Sequence, residues 1–315
     1  MKPAKERLMQ RDDYILTVAH TLLEELCNDA KLSGVGIAIV QIVELIDRAG
    51  SAIPELTRAI LSEPFIAQKL LQSSNAVLIR RGATPVTQLS KAIVLLGFEQ
   101  VRTIALSTLL LSKLGNEQQR ARFEGEFATL LYAATLARET AASMNICDPE
   151  EAAVCTLFRW FGRLIVGLYR YEFYEKILIV SLKDRISENQ AAVRVLGLSF
   201  DGIGMALLAR WGVPQRIVQS LSPCPEVVRC SNAVEVRLKM LACFCMEVAL
   251  TLRPPLLNER QQTIESLLQR FGPALRLDRE RFNAQLELVD TQALEMSRSY
   301  GAVGMPKCLE ILVNS

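Results

Sequence analysis

A single histidine serves all 315 residues, His20 in YILTVAHTLLEEL, and that count limits the available chemistry. Nucleophilic catalysis by serine or cysteine needs a neighbouring base. A histidine-bearing metal centre needs several imidazoles or carboxylates to converge. His20 lies on an amphipathic stretch far from other candidate ligands and is expected at or near the surface. The eight cysteines, at positions 27, 147, 155, 224, 230, 243, 245 and 308, contain no C-x-x-C pair. Most sit in apolar contexts such as LACFCMEVAL, so they are expected as reduced core thiols, without metal or disulfide roles. No G-x-x-x-x-G-K-[ST] occurs, and the glycines of LSFDGIGMAL fall in a helical context that is a weak phosphate cradle. No cofactor is expected.

Two basic features remain. In LFRWFGRLIV (157–166), Arg159 and Arg163 stand one helical turn apart in an otherwise apolar helix, beside Trp160 and Gly162. Like charges at that spacing cost about 0.2–0.5 kcal/mol unless partners compensate them. Arg80 and Arg81 form a second basic pair in the loop IRRGATP. All four arginines are candidate contacts for an anion or a partner.

These residues must be placed by helices. Half the residues are hydrophobic and 22% charged, enough for a large core and unlike a disordered chain. Ile15, Val18, Ala19, Leu22, Leu23 and Leu26 follow the i, i+3, i+4, i+7 rule. The spacing of Leu89, Ile93 and Leu96 predicts a helix closed by Gly97, and 117–143 a long one carrying Leu130, Leu131, Ala134 and Leu136. Asp148-Pro149-Glu150-Glu151 opens a continuous helix through Tyr169. Helices follow over 171–185, over FDGIGMALLARWG, and, after the junction SPCPE at 222–226, over VEVRLKMLACFCMEVALTL and two further stretches. Strand signals are nearly absent, so the fold class is all-α. A helix–Gly–helix pair at 87–111 has one arginine and an apolar face, which suits a core hairpin better than a DNA reader.

The net charge of +2, from 36 basic and 34 acidic residues, gives no electrostatic reason to expect nucleic acid or an anionic membrane. MKPAKERLMQRDD lacks the apolar core of a secretion signal. No apolar run is expected to reach the ~18 residues a bilayer needs. A cytoplasmic protein is the expectation.

IAQKLLQSSNAV followed by VTQLSKAIVLLGFEQVRTIALS resembles the HDOD family, bacterial regulatory domains related to the HD metal-dependent phosphohydrolases. Asn75-Ala76 stand for the family's Asn-Ser-Ala, with Ser74 before the asparagine and no serine after it. Leu89, Ala92, Ile93, Leu96 and Gly97 match the following helix. TLFRWFGRL lies where HD enzymes carry GLLHDIGKL, which puts Arg159 at the histidine position and Trp160 at the aspartate position; Gly162 and Leu164 keep the flanking pattern. LGLSFDGIGMALLARWGVP (196–214) resembles the family's LG-dH--vG--LL--WglP through Gly197, Trp211 and Pro214, with Phe200 where a histidine often stands. Thr129 is placed at the first ligand position of the helix 127–141.

The resemblance implies an HD-like helical bundle over residues 31–225, divided at 115/116. Residues 1–30 are an N-terminal helical extension and 226–315 a C-terminal helical region. Asn75, Gly97, Gly162, Gly197, Trp211 and Pro214 are implied as structural signature residues, and Thr129, Arg159, Trp160 and Phe200 as degenerate ligand positions. Arginine does not deprotonate to coordinate a cation, and tryptophan and phenylalanine offer no suitable lone pair. Metal-dependent hydrolysis is therefore not expected. The resemblance implies a non-catalytic role in bacterial signal transduction, through unknown signalling proteins or a small signal. The alternative is a nucleotide sensor that keeps the pocket without its chemistry, with Arg159, Arg163 and Arg194 converging on one concavity to hold phosphate.

Overall fold

The computed structural model describes residues 19–29, 86–97, 117–252 and 256–300, together with positions 32, 36, 40, 71, 74, 75 and 101. Its elements are helical throughout, and no strand occurs among the described residues. Residues 19–28 are helical, with Ala19, Leu22 and Leu26 buried as the periodicity predicts. His20 is exposed on the opposite face, 3.6 Å from Glu24.

Eleven labelled α-helices follow among the described residues. They are α1 (Leu89–Leu96), α2 (Glu117–Met144), α3 (Pro149–Arg159), α4 (Phe161–Tyr169), α5 (Tyr171–Asp184) and α6 (Glu188–Leu196), then α7 (Phe200–Arg210), α8 (Gln215–Ser220), α9 (Val234–Leu250), α10 (Arg260–Leu275) and α11 (Arg279–Tyr300). A single 3-10 turn, Leu256–Glu259, precedes α10.

Helix starts follow the local chemistry. Asp148 accepts the Glu151 amide at 2.8 Å, Pro149 occupies the first turn, and the acidic Glu150 and Glu151 face the positive end of the helix dipole. Ser187 and Gln190 form a reciprocal capping box at α6. Ser199 caps α7 through the Gly202 amide at 3.0 Å. Gly197, at φ 77°, ends α6 in the left-handed conformation that a side chain disfavours.

α2 is the central element, packing against α3, α9 and α11. Its Tyr132, near the middle of the helix, is buried, donating to Asp290 Oδ1 at 2.6 Å while Arg260 bridges Asp290 with both terminal nitrogens at 2.8 and 2.9 Å. The described helices of the C-terminal region share one continuous core with the rest: Phe244, Phe271 and Phe282 join Phe123, Phe158 and Phe161 in it. Burial pushes the thiols of Cys147 and Cys155 up to about 12, in keeping with inert core cysteines.

Three elements differ from the sequence expectation. The continuous helix predicted over 149–169 breaks at Trp160, whose φ −94° and ψ −3° interrupt the helical path between α3 and α4. Helices α6 and α8 were not foreseen; α8 has only six residues, and α6 begins on the polar run Glu188-Asn189-Gln190. Pro149–Tyr169 is also long and apolar enough on composition to cross a bilayer, which corrects the expectation that no run is; 89% of it is buried within the protein.

Candidate functional site at the α3–α4 break

The two arginines that flank the break at Trp160 both line one cleft of about 480 Å³. Its walls are the α3–α4 junction, the start of α6, the start of α7 and the end of α9. α4 crosses α7 backbone to backbone: a Cβ built on Gly162 would lie 1.9 Å from the Phe200 carbonyl oxygen and 2.8 Å from the Gly204 nitrogen. Only glycine permits that approach, and it sets the floor of the cleft beside Phe200.

Arg159, 8% exposed, points into this junction. One terminal nitrogen donates to the carbonyls of Ser220 at 2.6 Å and Ser222 at 3.1 Å. The other stands 3.6 Å from Asp201 Oδ2. Asn189 completes the site, donating to Asp201 Oδ2 at 3.1 Å and accepting the Asp201 amide at 3.3 Å. Burial outweighs pairing here. It lowers the Arg159 guanidinium from its ordinary value although Asp201 opposes the shift, and it raises the Asp201 carboxyl although Arg159 opposes that. Lys239 on α9 is likewise lowered, by burial first and Arg159 second.

Arg163 forms the other half. Its Nε and one terminal nitrogen grip both oxygens of Glu126 on α2, at 3.2 and 3.1 Å, and the remaining nitrogen contacts Glu188. The guanidinium stacks 4.8 Å from the Trp160 ring and 5.1 Å from that of Tyr174. Trp160 donates its indole N–H to Glu126 at 2.7 Å. The like charges of Arg159 and Arg163 are therefore separated by the helix break and each answered by its own acid. Glu247, on the α9 wall, accepts from Arg270 at 3.2 Å, and burial raises its carboxyl against the pull of Arg270 and Arg159.

The HDOD domain family model matches residues 35–223. The chain belongs to the HDOD family. Among solved structures of similar fold is an HDOD protein of unknown function from Geobacter sulfurreducens, at 16% identity and TM-score 0.63, covering 91% of this chain and 98% of that one. Another is a candidate phosphohydrolase from Shewanella amazonensis, at 18% identity and TM-score 0.64, covering 90% and 97%. A third is a candidate signal-transduction protein from Marinobacter aquaeolei, at 16% and 0.56, covering 87% and 58%. At these identities the likeness is one of fold. No curated protein matches the chain.

The HDOD signature residues take structural positions. Asn75 clamps the backbone of Val86, donating to its carbonyl at 2.9 Å and accepting its amide at 2.7 Å. Gly97 terminates α1 at φ 78°. Trp211 packs edge-on to Phe161, centroids 5.5 Å apart, and covers Gly36, where a Cβ would meet its ring at 2.5 Å. Pro214 starts α8. Of the residues that the resemblance places at ligand positions, Arg159, Trp160 and Phe200 line the cleft. Thr129 is buried one turn beyond Glu126 on α2 and is not among the lining residues. Arg163 lines the cleft, whereas Arg80 and Arg81 lie outside the described residues. Arg194, the third arginine of the nucleotide alternative, does not converge with the others; it is half-exposed and pairs with Asp184 at 2.6 Å.

A divalent metal does not fit the residues at this HD position. The acids nearest the cleft, Glu126, Glu188, Asp201 and Glu247, are each held by an arginine, and the Arg159 cation stands at the implied ligand position itself. Among the described residues no cluster of three His, Cys, Asp or Glu side chains could hold a metal ion. The sequence named both arginines and Trp160 but missed Glu126, Glu188, Asn189 and Asp201, which come from three other helices. Asp201 alone left a signal, directly after the Phe200 position.

The cysteines bring a correction. Cys224 and Cys243 are joined in a disulfide, Cα atoms 6.1 Å apart, and both line the cleft. The apolar setting of Cys243 gave no hint of it, because the partner lies in the irregular segment after α8.

Proposed function

We propose that this HDOD chain is a non-catalytic regulatory module of bacterial signal transduction, working in the cytoplasm by binding a partner protein or a small signal at the α3–α4 cleft. The observation that carries the reading is the Arg159–Asp201 pair. A positive charge at the position that the resemblance gives to a metal-ligating histidine opposes a divalent cation; its ion pair ties α3 to α7, and its hydrogen bonds tie α3 to the end of α8 and the segment after it. The arrangement is a rigid frame around a concave surface, which suits recognition and not turnover.

The nucleotide-sensor alternative draws less support. It needs Arg159 and Arg163 free for phosphate, and both are already engaged by acids and carbonyls. What the cleft offers a ligand is Trp160, Phe200, Met246, Leu250 and Leu256 with neutral polar groups between them. Leu256 stands on the rim, 38% exposed. Leu256→Arg is expected to fold normally and to lose the protein or small molecule that the wild-type chain retains on affinity capture from its host. Equal capture by both proteins places recognition elsewhere.

A further inference from the structure

We propose that the Cys224–Cys243 disulfide is a redox clamp that sets whether the α3–α4 cleft is closed on its α9 side. The inference rests on the cleft being the recognition site, and adds a regulator to it. Cys243 is wholly buried on α9, while Cys224 is half-buried in the irregular segment between α8 and α9. That segment is also tied to the body around the cleft. Its Ser222 carbonyl accepts from Arg159, as does that of Ser220 at the end of α8, and its Pro225 carbonyl accepts from Arg270, the partner of Glu247, at 2.6 Å. The disulfide is the covalent member of this set of attachments. Without it, the stretch 222–233, rich in exposed residues, is held to the body by hydrogen bonds and side-chain packing.

The cytoplasmic setting proposed above points the same way. In a reducing cytosol disulfides are rare, and those present are usually transient and redox-sensing. The chemistry needs one co-reactant, a dithiol. Its thiolate attacks the accessible sulfur of Cys224, the S–S bond breaks, and the electron pair leaves on Cys243, which takes up a proton. The dithiol's second thiolate then attacks the mixed disulfide and releases Cys224 as a thiolate that is protonated in turn. Two electrons pass to the cysteine pair and the dithiol ends as a disulfide. Oxidation by a disulfide reagent reverses each step.

Hydrogen–deuterium exchange of the full chain, read by mass spectrometry, tests this in three states: as isolated, reduced with dithiothreitol, and reoxidised with glutathione disulfide. Amides of 222–233 are expected to exchange several-fold faster after reduction and to return on reoxidation, while α2 and α10 stay unchanged. Cys224→Ser is expected to exchange like the reduced protein in all three states. Alkylation mapping that finds both thiols still free after treatment with glutathione disulfide, or a bond that dithiothreitol leaves intact in the folded chain, overturns the clamp. So does equal exchange of 222–233 in the oxidised and reduced states. Such a failure leaves the recognition reading standing, since capture with Leu256→Arg reads that separately.

Discussion

Replacing Arg159 with methionine isolates what the buried guanidinium does. Methionine keeps much of the volume and apolar stem, and removes the charge and its contacts to Ser220, Ser222 and Asp201. The Ser222 carbonyl is half-buried and can be rehydrated, but Ser220 is buried at 1% exposure, and its carbonyl is left without that donor. Orphaning such a group costs about 1–3 kcal/mol. Removing one member of a buried ion pair costs about 3–5 kcal/mol. Asp201 keeps Asn189 and has a carboxyl already raised by burial, so it can relieve its charge by protonation. The loss is therefore placed near the lower end, about 3 kcal/mol. The assay is urea denaturation followed by circular dichroism at pH 7, completed as a cycle with Asp201→Leu. The double variant, an apolar pair in place of an ionic one, is expected to recover most of the loss, because well-packed hydrophobic replacements of buried ion pairs are often neutral or better. A single variant within about 0.5 kcal/mol of wild type, or strictly additive effects in the cycle, refutes the view of Arg159 as an internally engaged charge.

Two further perturbations follow from the same geometry. Asp201 holds its proton in the folded state over a window, from about 3.8 upward, in which the unfolded chain has released it; wild-type stability therefore falls as pH rises through that window. Asp201→Asn lacks this component, so its melting temperature is expected to rise relative to wild type with increasing pH and then level off; a difference that moves the other way contradicts the burial-dominated site. Gly162→Ala would drive a Cβ into the Phe200 carbonyl and is expected to destabilise by about 1–3 kcal/mol or more. Gly272→Ala, on α10 with open space around its Cβ position, is expected to be neutral or to stabilise by about 0.5–1 kcal/mol in the same thermal melts; equal effects at both sites contradict the close α4–α7 crossing.

The elements legible in the sequence were those with several turns of regular apolar spacing, such as α2 and α9, or with explicit punctuation, such as the Asp148 cap of α3 and Gly97 after α1. The break at Trp160 was not legible, because the contacts made there are tertiary: the Trp160 indole reaches Glu126, 34 residues earlier on another helix. The same limit applied to the site. Arg159 and Arg163 announced themselves as charges in an apolar run; of their partners, Asp201 on α7 was marked only by its place after Phe200, and those on α2 and α6 carried no local signature. Gly162 was readable as part of a resemblance, but its reason, the contact with Phe200 and Gly204, exists only in three dimensions. The disulfide ran against the sequence reading for a similar cause, joining a helix core position to an irregular segment 19 residues away.

We propose that the paired arginines Arg159 and Arg163 stand in place of metal chemistry at the position that the resemblance gives to the HD ligands. Titrating the purified protein with manganese in a calorimeter, alongside turnover of a chromogenic phosphodiester in the same buffer, tests it most directly. No saturable stoichiometric binding and no turnover above the protein-free rate are the predicted results. One manganese bound per chain, with hydrolysis that Arg159→Met or Asp201→Asn abolishes, would contradict the account.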